Sequence, residues 1–463
     1  MLRIFNHYVP KSLVVLGAVE FAVLAAAAEI AARLRIAAVS DEIGPFSERL
    51  PDILAFASVV FVAMLAVGMY QSDCCRDLRM TFIRLLAAFI GSVTVLAVVF
   101  YLFPDLKLWR SMAILAYALA ALGIMAARLV FTRVADLSLF KWRVIVLGAG
   151  PRAARIGQLE KESASAGFRV IHYIRMHPNE QAVSDARDRS EIKRLSALVA
   201  QDNIDEIVLA SEERRGTLPV AQLIECKLRG TRIADVSSFL ERETGRVALD
   251  GLQPSWIIFS DGFKFAQRAN EATKRLLDVA ASLTLFVFTL PILLITAMAI
   301  KVTSRGPVFY MQERVGRYGR PFKAIKFRSM RVDAEQISGP QWAATKDPRM
   351  TAVGRLIRAI RIDEIPQILN VLKGDMSFIG PRPERPFFVA QLERELPFYA
   401  ERHAVKPGIT GWAQINYPYG ASVEDARHKL EYDLYYVKNF SVFFDLLILI
   451  QTVRVILWQN GVR

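Results

Sequence analysis

Four apolar runs crowd the first 135 residues, at roughly 12–32, 51–70, 82–103 and 111–131. Each approaches the ~20 residues that a helix needs to cross a bilayer's hydrocarbon core. A chain that begins this way is predicted to place residues 1–140 in a four-helix transmembrane block. Glu20 and Glu29 fall inside the first run, where a carboxylate is tolerated only if it faces other helices or the interface. Basic residues beside the runs set the orientation: Arg3 and Lys11 before the first, Arg76, Arg79 and Arg84 around the second loop, Arg133, Lys141 and Arg143 after the fourth. Both ends of the block are thereby assigned to the cytoplasm, and everything beyond residue 140 is expected to work there.

Charge narrows the partners. The formal net charge is +14, a balance that suits nucleic acid or, in a chain with membrane spans, anionic lipid headgroups and phosphorylated substrates. The spans favour the second reading, with membrane lipids and no nucleic acid among the expected partners. Cys74, Cys75 and Cys226 have no metal-ligand spacing and form no disulfide framework.

Residues 141–260 read as α/β. Val144-Ile145-Val146-Leu147 is a short apolar strand that ends in Gly148-Ala149-Gly150, with a helix near 152–160. Further strands are predicted at 168–175, 205–210 and 231–236, with helices at 190–201 and 219–229. This alternation argues for a Rossmann-like, doubly wound parallel sheet. Ala153 stands at the third glycine of the dinucleotide fingerprint, and Arg175-Met176-His177 ends the second strand where an acidic residue is expected. Whether the glycine turn binds a ligand or only makes a tight bend stays open.

Residues 261–273 form a polar linker. The apolar stretch 276–300 follows, with Lys274-Arg275 before it and Lys301 after it. Asp278 near its start, Pro291 inside it and basic residues on both flanks predict a re-entrant helix that bends at Pro291 and returns to the same side. Residues 274–463 are expected to be a mainly helical, monotopic unit. Its last segment, 441–458, reads as an amphipathic helix on the membrane surface.

The chemistry gathers around Arg355, Arg358, Arg361, Asp363, Glu364, Pro366 and Gly374. Proline in a first turn and glycine just past an end place Asp363 and Glu364 at a helix N-terminus. There the dipole and free N–H groups favour carboxylates and phosphates alike. A carboxylate kept ionised at such a site can act as a nucleophile or hold Mg²⁺. Upstream, Phe322 to Met330 alternates basic and apolar positions, giving Lys326 and Arg328 to a cationic strand face. Downstream, Gly380-Pro381-Arg382-Pro383 is a stiff turn that presents Arg382. In Lys406-Pro407-Gly408-Ile409-Thr410-Gly411-Trp412-Ala413-Gln414-Ile415-Asn416, the ring of Trp412 and the amides of Gln414 and Asn416 suit a base or sugar.

Taken together, residues 274–458 resemble the bacterial sugar transferase domain of polyprenyl-phosphate glycosyl-1-phosphate transferases, and the preceding helices and α/β domain resemble the family's large members. The resemblance rests on the apolar hairpin with its proline, Lys-Phe-Arg-Ser-Met, Asp-Glu-x-Pro-Gln, Gly-Asp-Met-Ser-Phe-x-Gly-Pro-Arg-Pro and Lys-Pro-Gly-Ile-Thr-Gly-Trp-Ala-Gln. It implies a bacterial inner-membrane enzyme with its active site on the cytoplasmic face. It also implies Asp363 as nucleophile, Glu364 as support for Mg²⁺, Arg358 as the functional arginine before the dyad, and a homodimer. The expected substrates are a UDP-sugar, with UDP-glucose or UDP-galactose favoured, and undecaprenyl phosphate, at the start of exopolysaccharide or other surface-glycan synthesis. Two positions depart from the family pattern: Leu290 precedes Pro291 where serine is common, and Arg361 stands where a small polar residue is more usual.

Overall fold

The computed structural model describes the chain apart from residues 1, 5–6, 39–44, 72–73, 75–76, 107–108, 135–140, 163–166, 214–217, 251, 253, 260–261, 264–267, 332–348, 419, 421 and 459–463. It divides into two compact units, residues 1–4 with 8–245, and residues 5–7 with 246–463.

In the first unit, helices α1 (Lys11–Ala37), α2 (Phe46–Ala66), α3 (Leu78–Leu102) and α4 (Arg110–Val134) are each long and apolar enough to cross a membrane. They share one core that includes Leu24, Phe56, Met64, Leu85, Ala120 and Ile124. The carboxylates that make the first run costly are paired. Glu20 is fully buried and accepts from Arg128 Nε at 2.6 Å, while Arg128 also donates to the Met69 carbonyl. Glu29 accepts from Arg33 and Arg49.

The α/β part has strands β1 (Trp142–Leu147), β2 (Phe168–Arg175), β3 (Arg187–Asp188), β4 (Glu206–Leu209) and β5 (Arg232–Asp235). They form a parallel sheet in the order β3-β2-β1-β4-β5. The unbroken apolar run in β1 follows from burial on both faces. Val144 and Val146 pack with Ile156 and Phe239, whereas Ile145 and Leu147 pack with Leu195, Val199 and Leu223. Helices α5 (Pro151–Glu162), α6 (Leu195–Gln201) and α7 (Val220–Leu228) lie between strands, and α8 (Val236–Thr244) follows the last one. The expected strands and helices are present, with the helix predicted at 190–201 starting only at Leu195 and the two-residue β3 added. Gly245, left-handed at φ 64°, ends α8. The unit closes there rather than at 260, because Val247 and Leu249 belong to the core of the second unit.

The second unit begins its main architecture with α9 (Arg268–Thr303), a single 36-residue helix with Pro291 inside. At 1.5 Å per residue it is about 54 Å long along its axis, well beyond the ~30 Å of a hydrocarbon core. It starts within the expected 261–273 linker, of which residues 261 and 264–267 lie outside the described residues. The antiparallel strands β6 (Phe309–Val315) and β7 (Pro321–Phe327) follow, then α10 (Ala352–Ala359), a 3-10 turn (Ile362–Gln367) and α11 (Ile368–Lys373). Next come β8 (Ser377–Ile379), α12 (Pro386–Glu395), β9 (Gly408–Thr410), α13 (Trp412–Asn416), α14 (Val423–Asn439) and α15 (Val442–Trp458). The core joins Ile379, Leu392, Trp412, Leu434, Tyr435, Phe444 and Ile448.

α15 inverts the usual pattern. Its polar residues Asp445 and Arg454 are buried, bonded to Lys274 and to the Ile415 carbonyl, while Leu446, Leu449, Val453, Ile456 and Leu457 are exposed.

Candidate active site

Three chain segments meet at the acidic dyad. Thr351 caps α10 by accepting from Gly354 N–H, and Gly354 lets that helix lie against the backbone at Ser329, where a Cβ would stand 1.9 Å from the carbonyl oxygen. After α10 the chain reverses at Arg361, whose φ of 60° is left-handed. That conformation costs a non-glycine residue roughly 1–2 kcal/mol. It also gives a physical reason for a small polar residue there, since short polar side chains tolerate this region best.

Asp363 and Glu364 occupy the first turn of the 3-10 segment, which runs directly into α11. The dyad therefore does lie at the start of a helical segment, with Pro366 inside the 3-10 turn. Asn370 stitches α11 to the neighbouring strand: its Oδ1 accepts from Ile325 N–H and its Nδ2 donates to the Lys323 carbonyl. This fixes the distance between the dyad and Lys326, which lies on β7.

Glu364 is held from both sides. Its Oε1 accepts from Lys326 Nζ at 2.7 Å and from Arg382 at 2.8 Å, and its Oε2 lies 4.0 Å from Arg361. Burial would raise its pKa, but Arg382 and Lys326 outweigh burial and hold it well below the usual glutamate range. Burial pushes the Lys326 ammonium down, against the pull of Glu364.

Asp363 shifts the other way. It is 8% exposed. Burial first, then the neighbouring charge of Glu364, raise its pKa, opposed by Lys326, Arg358 and Arg361. Among the described residues none hydrogen-bonds or ion-pairs with the Asp363 carboxylate, so its oxygens remain available to a reacting group. The two adjacent carboxylates thus have pKa values driven apart, Glu364 down and Asp363 up, a pattern that perturbed groups at functional sites often show.

Arg382 owes its position to glycines. Strands β8 and β9 pair in parallel, Ser377 with Gly408 and Ile379 with Thr410. A Cβ on Gly380 would stand 2.3 Å from the Lys406 carbonyl oxygen, and one on Gly408 would stand 2.1 Å from Gly380 N. Below the turn, Arg402 donates to the Arg382 carbonyl and forms a buried pair with Asp433 at 2.7 Å.

The remaining predicted site residues divide. Arg358, in the last turn of α10, donates to Met350 Sδ and acts on Asp363 through its charge. Arg328 is not brought to the dyad. It is buried, and its guanidinium donates to the carbonyls of Ser304 and Arg305 and to Ser304 Oγ, at the end of α9. Trp412 sits in the hydrophobic core against Tyr435 and Phe444. Gln414 donates to the Ile409 carbonyl and Asn416 to the Trp412 carbonyl, so both amides stabilise their own turn.

Sequence reasoning missed the Arg402–Asp433 pair. Its signal was a charged residue inside Tyr432-Asp433-Leu434-Tyr435-Tyr436, a run that reads as a buried helix face.

Among the described residues no cluster of three or more His, Cys, Asp or Glu side chains is placed to hold a metal ion. Mg²⁺ needs only one or two carboxylates when substrate phosphates and water complete its shell. The unengaged oxygens of Asp363, beside Glu364, fit that requirement.

The description of bacterial sugar transferases matches residues 269–459. A UDP-N-acetylgalactosamine-undecaprenyl-phosphate N-acetylgalactosaminephosphotransferase of Aeromonas hydrophila is 45% identical over 241 residues, 52% of this chain and 56% of that protein. An undecaprenyl-phosphate glucose phosphotransferase of Komagataeibacter xylinus is 42% identical over 320 residues, 67% of this chain and 58% of that protein. A UDP-glucose:undecaprenyl-phosphate glucose-1-phosphate transferase of Caulobacter vibrioides is 40% identical over 197 residues, 42% of this chain and 73% of that protein. The matched stretches thus span little more than half the length of the first two relatives. The family match includes the dyad, and a relative 40% identical is covered over 73% of its length, so the chain belongs to the bacterial sugar transferase family.

Proposed function

We propose that this protein transfers a sugar-1-phosphate from a UDP-sugar to undecaprenyl phosphate at the cytoplasmic face of a bacterial inner membrane. The observation that carries this reading is the pairing of an unengaged, buried Asp363 with a Glu364 held ionised by Lys326 and Arg382. An Asp363 oxygen attacks the phosphorus that bears the sugar. The bond from that phosphorus to the bridging oxygen breaks, and UMP leaves with the electron pair. The resulting aspartyl phosphosugar is attacked at the same phosphorus by an oxygen of undecaprenyl phosphate, which returns Asp363 as a carboxylate. Lys326, Arg358 and Arg382 spread the charge on the equatorial oxygens, where preorganised cations contribute most. Mg²⁺, held by Asp363 and Glu364 with the donor's phosphates, would supply further charge neutralisation there.

UDP-glucose is the leading donor, in line with two of the three relatives named above, and an N-acetylgalactosamine donor is the alternative that the Aeromonas relative brings. The four N-terminal helices span the membrane. Helix α9 enters and leaves on the cytoplasmic side, because residues at both its ends bond within one compact unit. Cysteines placed at either end of α9 should both resist an impermeant reagent in intact cells. Labelling of the Gly306 end alone would refute the re-entrant path.

The test of chemistry is UMP release by the purified protein with undecaprenyl phosphate across a panel of UDP-sugars. Asp363→Asn should abolish release, by at least about a thousandfold, while donor binding survives. Wild-type protein given labelled donor without lipid should carry label on the peptide that contains Asp363. If the variant turns over like the wild type, the nucleophile is wrong, and direct transfer in a ternary complex becomes the better mechanism.

A further inference from the structure

The three segments that build the site are each fastened to an end of α9. At its incoming end, Arg275 spreads its two terminal nitrogens over the Val371 and Leu372 carbonyls, both at 2.5 Å. These are among the last carbonyls of α11, at its negative end, where Val371 O accepts from Gly374 N–H as well. The preceding residue, Lys274, donates from Nζ to the Ile379 carbonyl at 3.0 Å, and about one turn on Asp278 Oδ1 accepts from Phe378 N–H and Ser377 Oγ, both at 2.9 Å. Ile379 is three residues from Arg382. At the outgoing end, Arg328 donates to Arg305 O at 2.8 Å and Ser304 O at 3.0 Å. Arg328 is two residues beyond Lys326. Ile300 of α9 packs with Phe327 and Ile357, beside Ile362.

Between these anchors α9 has little protein cover: Val287, Phe288, Leu294 and Ile295 are exposed. Whatever solvates that apolar stretch sets the position of the helix, and every anchor passes that position to the dyad turn, Lys326 or Arg382. Catalytic groups misplaced by about 1 Å lose on the order of a hundredfold in rate. A helix that is too long or too short for its bilayer tilts or bends.

We propose that Arg275 and Arg328 are positioning residues for the transferase centre, transmitting the seating of α9 in the bilayer to the geometry of Asp363, Glu364, Lys326 and Arg382. This rests on the reading of the dyad as that centre. It assigns Arg328, which the sequence places on a cationic strand face, to the helix end instead.

The experiment uses the full chain in vesicles of short-, medium- and long-chain phosphatidylcholine containing undecaprenyl phosphate. Wild-type kcat for UMP release should vary with chain length. Arg275→Gln should lower kcat by about a hundredfold, leave the donor KM within about twofold, and flatten the dependence on chain length. Arg275→Lys, which keeps the charge and one hydrogen bond, should recover part of kcat. Arg328→Lys reads the opposite end in the same way if Arg275→Gln does not fold. Amide exchange of residues 368–375 supplies a readout without turnover: it should quicken in Arg275→Gln and change with lipid chain length in the wild type.

Wild-type kcat in Arg275→Gln, an equal loss of kcat and donor binding that Arg275→Lys does not relieve, or a chain-length profile unchanged by the variant would each overturn the proposal. A wild type that releases no UMP overturns the functional reading instead, and the exchange rates then decide the coupling alone.

Discussion

Glu180 and Glu364 are both carboxylates held below their usual range, and they are held there by opposite means. Glu180 sits at the point in the parallel sheet where the chain leaves β1 toward β2 on one side and β4 toward β5 on the other, the place where doubly wound folds bind ligands. Its Oε2 accepts from Ala149 N–H in the glycine turn and from Met176 N–H, and its Oε1 accepts from Ser211. Burial opposes ionisation, and these neutral donors outweigh it. The carboxyl group of Glu212 lies beside Gly150 as well. An anion arriving at this turn would meet donors already used and two negative charges. Glu364, by contrast, is held by cations, and Lys326, Arg358, Arg361 and Arg382 together outnumber the two carboxylates they surround. The Ala149 N–H of the glycine turn is taken by the chain's own acid; the dyad is surrounded by an excess of cationic charge. A glycine-rich turn therefore says little until the partners of its N–H groups are known.

The sharpest way to break this contrast is to remove the same charge from each region. Glu364→Gln should reduce UMP release by about a hundredfold or more, because Lys326 and Arg382 lose the anion that holds them. Glu180→Gln should leave UMP release within about twofold, yet lower stability by about 2 kcal/mol through lost charge-assisted hydrogen bonds. The folded pKa of Glu180 is lowered, so its contribution is present above the unfolded value of about 4.3 and fades as pH falls through the folded value. Thermal unfolding of the two proteins should therefore converge in acid. If Glu180→Gln abolishes turnover, or Glu364→Gln leaves it intact, the comparison fails.

A smaller effect concerns pH. In the proposed mechanism Asp363 must be ionised to attack, so activity is expected to fall as pH drops through its folded pKa. Because burial and Glu364 raise that pKa, the acidic limb of kcat/KM should lie above the ordinary aspartate value of about 3.9. Arg358→Met withdraws a cation that favours the ionised form and should move the limb further up. A limb at or below the ordinary value would mean that the burial of Asp363 does not survive in the working enzyme.

The smallest expected change is at Arg361. Asparagine accepts the left-handed backbone more readily, so Arg361→Asn should stabilise the protein by about half a kcal/mol. Equilibrium unfolding would detect it, and a loss of stability would show that the arginine's charge outweighs its backbone strain.

The elements that announced themselves in the sequence are those whose burial is uniform along a face. The four N-terminal runs, the Val144–Leu147 strand and the helix after Pro366 are of this kind, because hydrophobic periodicity and punctuation report burial directly. Asp363 and Glu364 stood out because several motifs around them share one chemistry. Arg328 did not fall where its alternation suggested: a residue just past the end of a strand can turn either way, and the open carbonyls at the end of α9 decide which. Trp412 looked like a platform for a base because an aromatic ring in a glycine loop reads the same whether its face is covered or bare. Tyr435 and Phe444, which cover it, lie more than twenty residues away in the chain. The Arg402–Asp433 pair left a signal at Asp433 alone, because its partner lies 31 residues away in the chain.

The contact between the Gly380 turn and the Gly408–Gly411 segment is made where side chains are missing. A Cβ on Gly411 would stand 2.2 Å from the Gly380 carbonyl oxygen, so each backbone fills the space that the other leaves. These two stretches cannot diverge independently: altering one changes the shape the other must match. Chimeras that exchange either stretch between relatives would have to transplant 377–383 and 406–411 as a single block, even though more than twenty residues of sequence separate them.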